Sequence, residues 1–485
     1  MAPIPDKNDK PKKRSKPKEE SRSGSSRTTL PFLDNIEKFG DDLYEYAGLR
    51  LNPWPLFILG VTLLFIAFLF MPSAVSFALS LALFLAPVWL PFLLVGGALA
   101  LGHILKQSEF LAAQKYVLLE IKLPRNLVKT PLAMEAFLST LHLSGGESNW
   151  YLRNIKGSTR PFWSLEMASF EGQVHFFIWG REVFRRLIET QLYSQYPGVQ
   201  LVEAVDYTRT ISGRPEDWDG IWGCDFKQTA KDSDPLPIKT YIEYGLDKVQ
   251  KEPEQVDPFA NLVEFMGSVG KGEYLWLQFV IRFHNGEKYH KIKKDGKPYT
   301  WRDKATELVD EIRKKTRDPY VDPVTGEERP GFPNPTKGQS EKIAAIERNV
   351  SKLAFDVGIR SIYFVKGKFS VATVLQMIAL FKPFNTEGWN GINSASVWMK
   401  SFNDYPWEIG INKLKDKYRR KMVEAYRRRQ FFYEPFSFGL PKDDIMVMST
   451  EELATLYHIP SSAVAAPGLG RIQSATGEAP VDLPV

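Results

Sequence analysis

From Leu51 to Leu105 the chain runs 55 residues without an Asp, Glu, Lys or Arg, and His103 is the one ionisable side chain in the run. A bilayer-spanning helix needs about 20 apolar residues. The run is long for one span, short for three, and too long and too far from the start for a signal peptide. It predicts a transmembrane helical hairpin over 51–105. The first helix would run from Trp54 to Met71 and break at Pro72-Ser73; the second would end near Leu105, with Pro87 and Pro91 kinking it or marking its start. Ala74–Ala86 is short for a span and reads as a tilted, re-entrant or interfacial piece.

Beyond Lys106–Gln114, period-two and helical segments alternate. Tyr116–Leu123 is strand-like. Thr130-Pro131 starts a helix that Gly145-Gly146 stops by Leu143. Trp163, Leu165 and Met167, a turn at Glu171-Gly172, then Val174, Phe176 and Ile178 make a hairpin. A helix over Glu182–Tyr196 ends at Pro197-Gly198, and Val199–Val205 is a strand. The order β-α-β-β-α-β predicts a ferredoxin-like α+β domain over 115–208.

A second α+β domain is expected over 221–410. Its strands are Ile221–Lys227, Ile238–Tyr244, Tyr274–Phe283 and Ile359–Val365. Its helices start at Asp257-Pro258, span Ser340–Asp356, and cover Ser370–Phe381. Between them His284–Gly338, rich in Lys, Asp, Pro and Gly, reads as a surface insertion with one helical piece near Asp303–Lys315.

Charge refines this picture. The net charge is +6, but residues 1–30 hold nine Lys/Arg against four acids, so the rest of the chain is nearly neutral and is no bulk-basic DNA-coating protein. That tail, part of a 1–50 juxtamembrane segment, has almost nothing apolar to bury and reads as disordered. Lys106, Lys115, Lys122, Arg125 and Lys129 follow the apolar run. With both flanks basic, two spans put both ends in the cytoplasm at the inner membrane. A lone cysteine, Cys224, excludes an intrachain disulfide framework and fits a reducing compartment.

No segment carries a catalytic motif. Gly267-Ser268-Val269-Gly270-Lys271-Gly272 resembles a phosphate loop, but Phe265 stands where the first glycine belongs and Gly272 where Ser or Thr would hold magnesium. It also leads from helix to strand, the wrong order. It reads as a turn. His284 and His290 read as surface residues, with too few neighbours for a metal site. No enzyme activity, cofactor or metal is expected.

Two elements remain in 411–459. Lys413–Arg429 holds nine cations against two acids, with Ile411, Leu414, Tyr418, Met422 and Tyr426 as an apolar stripe. Lys413, Lys417, Arg420, Lys421, Arg427, Arg428 and Arg429 are candidate contacts to nucleic-acid phosphates, anionic lipid or an acidic partner; a merely solvated face is the alternative. Ser449-Thr450-Glu451-Glu452 is a capping box opening a short helix, and 460–485 reads as an extended linker or arm.

STEELATLYHIPSSAVAAPGLGRIQSATGEAPVDLPV (449–485) resembles the connector preceding the motor domain of conjugative type IV secretion ATPases. SLEMASFEGQVHFFIWG (164–180), LIETQLYSQYPGVQL (187–201) and EKIAAIERNVSKLAFDVGIRSIYF (341–364) resemble their membrane-anchored amino-terminal domain. The Walker loop that would follow is not in this sequence, so no catalytic residue carries over. The resemblance implies a scaffold component of a DNA or protein transfer machine. It would be homo-oligomeric, lipid-anchored, and docked to a separately encoded hexameric ATPase through an arm including Glu451, Leu453, Leu456, His458 and Pro460. The alternative is a membrane-tethered DNA-binding protein using helix 413–429.

Overall fold

Strands that alternate cleanly have one wet face, whereas strands buried on both faces must lie between two covering layers. The long strands here are of the second kind: nearly every side chain of Phe162–Phe170 and of Ala354–Val365 is buried. In the computed structural model of the chain, residues 1–59, 231–232, 249–255, 322–327, 401–410, 434–444, 462–467 and 473–485 lie outside the described residues, as do scattered positions within 61–71, 126, 148, 287–298 and 396–400. The basic tail, most of the proposed first membrane helix and the last residues of the proposed arm therefore fall outside the description.

Helix α1, Pro72–Ala113, opens the described fold. It leads into β1 (Tyr116–Pro124), α2 (Leu132–Thr140), α3 (Trp150–Asn154), β2 (Phe162–Phe170), β3 (Gln173–Arg181), α4 (Arg185–Gln195), β4 (Gln200–Glu203) and α5 (Tyr207–Thr210). Next come β5 (Gly220–Gln228), α6 (Pro258–Gly267), β6 (Glu273–Phe283), α7 (Trp301–Lys315), β7 (Arg317–Val321), β8 (Glu328–Pro333), α8 (Lys337–Ser351) and β9 (Ala354–Val365). The last elements are α9 (Val371–Ile378), β10 (Ile392–Ala395), α10 (Ile411–Arg427), β11 (Met446–Ser449), α11 (Thr450–Leu456) and β12 (Arg471–Ile472).

The fold is mixed α+β around one antiparallel sheet, ordered β10-β5-β9-β6-β2-β3-β1, with β4 also on β1, β11 on β9, and β12 added in parallel at the end of β1. The sheet has two halves, β1–β4 and the set β5, β6, β9, β10. In each, the fourth strand lies beside the first, then come the third and the second. The halves meet where β2 pairs with β6 over the full register Phe162↔Arg282 to Phe170↔Tyr274. The two units expected from the sequence thus share one sheet and one core.

Local signals account for many elements. The β2–β3 turn places Glu171 and Gly172 at φ 52° and 90°, the left-handed pair a tight hairpin needs. Asp257 caps α6 by accepting from Phe259 N at 2.9 Å, with Pro258 in the first helical position. Thr300/Asp303, Thr336/Gln339 and Ser449/Glu452 close reciprocal capping boxes on α7, α8 and α11. The Gly267–Gly272 segment is a turn from α6 to β6. The insertion carries α7 and the β7–β8 hairpin, and Ala305 and Val309 of α7 pack on Ile343 and Ile346 of α8.

Several expectations fail. The two-helix hairpin is not supported: Pro72-Ser73 and Ala74–Ala86 run without a break into the segment that follows as one helix, α1, and most of the expected first helix lies outside the described residues. Among the described residues one segment, Leu83–Ala113, is long and apolar enough to cross a membrane, so a multi-pass arrangement is not supported. Pro87 and Pro91 each cost a helix one hydrogen bond without ending it. Ile238–Tyr244 is irregular chain leading into turns from Tyr241, and side chains satisfy its backbone: Glu452 accepts from Ile238 N at 3.1 Å and Thr455 Oγ1 from Tyr241 N at 3.0 Å. Residues 354–356, expected to end a helix, begin β9. Leu469 is buried and Arg471–Ile472 pair with Leu123–Pro124, so this part of the arm returns to the sheet.

Helices α2, α4, α6, α9 and α11 cover one face; α10 and the segments flanking it cover the other. α1 stands apart. Phe84, Phe92, Leu99 and Leu101 are exposed, and no part of its most apolar stretch is buried in the body. Its last turns dock: Gln107 and Leu111 are buried, Phe110 lies under Arg181, and Tyr116 OH donates to Leu111 O at 3.2 Å.

Candidate functional site

The second face of the sheet carries the charges that the sequence placed on one cationic helix. Helix α10 forms because Met422, Val423, Ala425 and Tyr426 fall on one stripe, which buries against β5 and β6, with Met422 seated on Gly223. Cations occupy its other sides. Its carboxyl end is closed by Arg429 at φ 52°, a conformation usually left to glycine. Arg429 N donates to Tyr426 O at 2.9 Å and Gln430 N to Ala425 O at 3.4 Å.

The seven predicted contact residues separate into three groups. Lys413, Lys417, Arg420 and Lys421 are exposed, with Arg420 paired to Glu216. Arg427 is half-buried, donating to Ile211 O at 2.7 Å with its guanidinium on Gly213, while Arg428 is exposed and holds Glu424 at 2.6 Å. Arg429 is no surface contact: it is 1% exposed and bonds Glu166 at 2.7 and 3.2 Å and Asp206 at 2.8 and 3.0 Å. Removing such a cation from water is costly, so it must be matched by buried acceptors.

Its partners belong to a ladder of polar residues across the sheet that sequence reasoning missed. Asp225, Arg360, Gln278 and Glu166 stand opposite one another on β5, β9, β6 and β2. Arg360 grips Asp225 in a fork at 2.7 and 3.1 Å. Gln278 donates to Glu166 at 3.0 Å and to Tyr426 O at 3.2 Å. Ser164 Oγ and Tyr207 OH also donate to Glu166, at 2.6 and 2.8 Å. Burial opposes charge on Arg429, but Glu166 and Asp206 outweigh it and raise its affinity for the proton. Burial, Glu166 and Tyr426 all push the Tyr207 hydroxyl well above its ordinary range.

The chain beyond Arg429 runs over further buried arginines. Phe431 lies on Arg360, Phe432 and Tyr433 lie on Arg282, and Tyr433 OH reaches Glu147 at 3.0 Å. Arg282 and His284 bond Asp356 at 2.8 and 2.6 Å; burial alone would raise that carboxyl, but these two hold it well below its usual range. The His284 side chain, expected at the surface, is therefore enclosed against Asp356, with 6% of it exposed. His290 lies outside the described residues.

The proposed docking arm is likewise interior. Glu451, Leu453, Leu456, His458 and Pro460 are all buried. Glu451 pairs with Arg348, and His458 with Asp257 at 3.0 Å. The capping box that predicted this helix also directs Glu452 inward, where burial pushes its carboxyl up to about 8. These residues hold α11 against α2 and cannot meet another protein without unfolding.

What remains open is a groove of about 360 Å³ between α10 and the loop 211–219, lined by Gly213, Arg214, Arg420, Lys421, Val423, Glu424 and Arg427. Its position is set by the register. Tyr116↔Arg181 and Phe162 mark the sheet edge where α1 leaves, whereas loop 211–219 precedes Gly220, which pairs with Val365 at the opposite edge. α10 runs from that far edge towards the α1 edge, so its first turns, with Lys413 and Lys417, are the turns farthest from the membrane-type helix.

Among the described residues no group of three or more His, Cys, Asp or Glu could hold a metal ion. The molecule is thus an α+β body with a basic groove at one edge and a long apolar helix at the other. The chain belongs to the family described as a domain of unknown function (DUF8128), which matches residues 105–469, the body from the last turns of α1 onward. Nothing among the curated proteins or the solved structures matches it.

Proposed function

We propose that the protein is a membrane-anchored scaffold, a non-catalytic component of a type IV secretion-like DNA or protein transfer machine that presents its body to a separately encoded hexameric ATPase. The observation that carries the reading is α1: an uncharged helix from Pro72 to Leu105 whose large apolar side chains are exposed, fastened to the body by Gln107, Phe110 and Leu111. Water would penalise that surface heavily, at roughly 25 cal/mol per Å² of apolar area. At 1.5 Å per residue the uncharged part is about 50 Å long, enough to cross the ~30 Å hydrocarbon core with a tilt. Lys106, Lys115, Lys122, Arg125 and Lys129 at its body end favour the cytoplasmic side of the inner membrane for the body. Each half of the sheet, with its fourth-first-third-second strand order, reads as a ferredoxin-like unit. The sequence segments that resemble the secretion ATPases map to β2, β3, α4, α8, β9 and α11, so the resemblance is one of framework.

The test has two readouts. The full chain should resist alkaline carbonate extraction from membranes, and Leu94→Arg, at roughly 2.5–3.5 kcal/mol against insertion, should weaken that resistance. Crosslinking in native membranes should recover a hexameric P-loop ATPase. Release of the unaltered chain by carbonate overturns the anchor; crosslinks without any ATPase overturn the docking role.

A further inference from the structure

Helix α3 and the turn after it sit where the uncharged run of α1 ends. Gly157 packs so closely on α1 that a Cβ there would lie 2.3 Å from the Lys106 carbonyl carbon. Lys106 is the charge that closes the run 51–105. A bilayer enclosing α1 up to Leu105 therefore brings its headgroup layer, about 5–7 Å deep on each side of the hydrocarbon core, beside α3. The strand register agrees. In the chain α3 stands between Leu141, which accepts from Trp163 Nε1 at 3.0 Å, and Phe162, at the sheet edge where α1 leaves.

The side chains at that level are those of a membrane interface. Trp150, Tyr151 and Ile155 are 65%, 53% and 46% exposed on a helix only five residues long and the residue after it. Tyr151 and Ile155 are one helical turn apart and share a face. Residues 148–165 hold no acid, whereas Arg153 and Lys156 are exposed, with Lys156 Nζ 5.7 Å from the centre of the Tyr151 ring. Indole and phenol rings place an apolar body below the headgroups and a polar tip among them, and Lys and Arg meet the phosphates of anionic lipid. A protein partner would have to reach α3 through the headgroups around α1. Val371 and Leu375 of α9 are equally exposed, but α9 follows β9, whose last residue, Val365, marks the opposite edge.

We propose that α3 is an interfacial foot. Trp150, Tyr151 and Ile155 enter the headgroup layer of the bilayer that α1 crosses, and Arg153 and Lys156 bind anionic lipid phosphate there, so the body lies against the membrane. This deepens the scaffold reading and rests on its anchor alone. Cys224 is the sole cysteine and is buried, so one added cysteine carries a label. The full chain with Leu94→Cys, Ile155→Cys or Val371→Cys is labelled with an environment-sensitive dye. It is reconstituted into vesicles of three parts phosphatidylcholine to one part phosphatidylglycerol, with nitroxide lipids as quenchers. The dye at 94 should be quenched by a nitroxide in mid-chain, the dye at 155 by one at headgroup level, and the dye at 371 by neither. With the dye at 155, Trp150→Ser plus Tyr151→Ser should lower the quenching at least twofold. Arg153→Gln plus Lys156→Gln should abolish its rise from pure phosphatidylcholine to the mixture. Near-ultraviolet circular dichroism confirms that each variant is folded. Quenching at 94 with none at 155, equal quenching at 155 and 371, or undiminished quenching in the Trp150/Tyr151 variant overturns the foot and leaves the anchor standing. A rise with phosphatidylglycerol that survives the Arg153/Lys156 variant overturns the lipid-phosphate contact. No quenching at 94 overturns the anchor and the foot together.

Discussion

Replacing Arg429 by methionine tests the buried charge ladder most directly. The guanidinium makes four bonds to carboxylates, at 2.7 and 3.2 Å to Glu166 and at 2.8 and 3.0 Å to Asp206. Methionine fills similar volume but leaves both carboxylates without their cation. Asp206 keeps one-fifth of its side chain in contact with water and retains Thr208 N and Oγ1 as donors. Glu166 is fully enclosed and keeps only the neutral donors Ser164, Tyr207 and Gln278. The cost therefore falls mainly on Glu166. Removing one partner of a buried pair costs about 3–5 kcal/mol, because a charge is stranded in a poorly polarisable site. Adding Glu166→Gln removes the stranded charge and should recover about 2 kcal/mol of that loss, so the two substitutions are strongly non-additive. Urea unfolding of the full chain in detergent, followed by tryptophan fluorescence, measures both quantities. A loss below about 1 kcal/mol in the single variant, or no recovery in the double, would mean that water reaches Glu166 and would refute the ladder as a buried device.

Three further outcomes are expected. Glu452 has its folded pKa raised by burial to about 8 from an ordinary 4.5, so the folded state holds its proton more tightly than the unfolded state. This contribution to stability is full below about pH 4.5 and is lost as the pH rises towards 8; Glu452→Gln should therefore gain on the unaltered chain between pH 5 and pH 8 in denaturation midpoints, and a difference independent of pH would contradict the burial argument. A side chain at Gly157 would lie 2.3 Å from the Lys106 backbone, and its φ of +64° disfavours other residues, so Gly157→Ala should loosen the last turns of α1 and speed proteolysis within 107–113, whereas unchanged cleavage would mean that this contact does not fasten the helix. At Gly358 a Cβ would fall 2.3 Å from the Phe431 ring, so Gly358→Ala should displace the aromatic cover from Arg360 and cost about 1–3 kcal/mol in the same urea assay.

Most of the elements were legible in the sequence because their signals are local. Asp257-Pro258, Glu171-Gly172 and Ser449 with Glu452 act through hydrogen bonds and dihedral angles within four residues, so the chain specifies them before it folds. The same is true of the apolar stretch ending at Leu105, whose composition alone requires an apolar environment. Its internal breaks were not legible: Pro87 and Pro91 read as kinks or a helix start, yet α1 runs through both.

Tertiary structure decided the rest. β2 and β6 join two halves of the chain more than a hundred residues apart, and nothing in either strand names the other. Glu166, Asp225 and Arg360 alternate with apolar neighbours as solvent-facing residues do; only the arrival of α10 and Phe431–Tyr433 over that face buries them and turns exposed-looking charges into a matched ladder. Arg429 left the cationic helix for that ladder for the same reason, and Glu451 and His458 left the surface when α11 packed on α2. Periodicity can say that a side chain faces away from one core, but whether a second layer covers it depends on which distant segment comes to lie there.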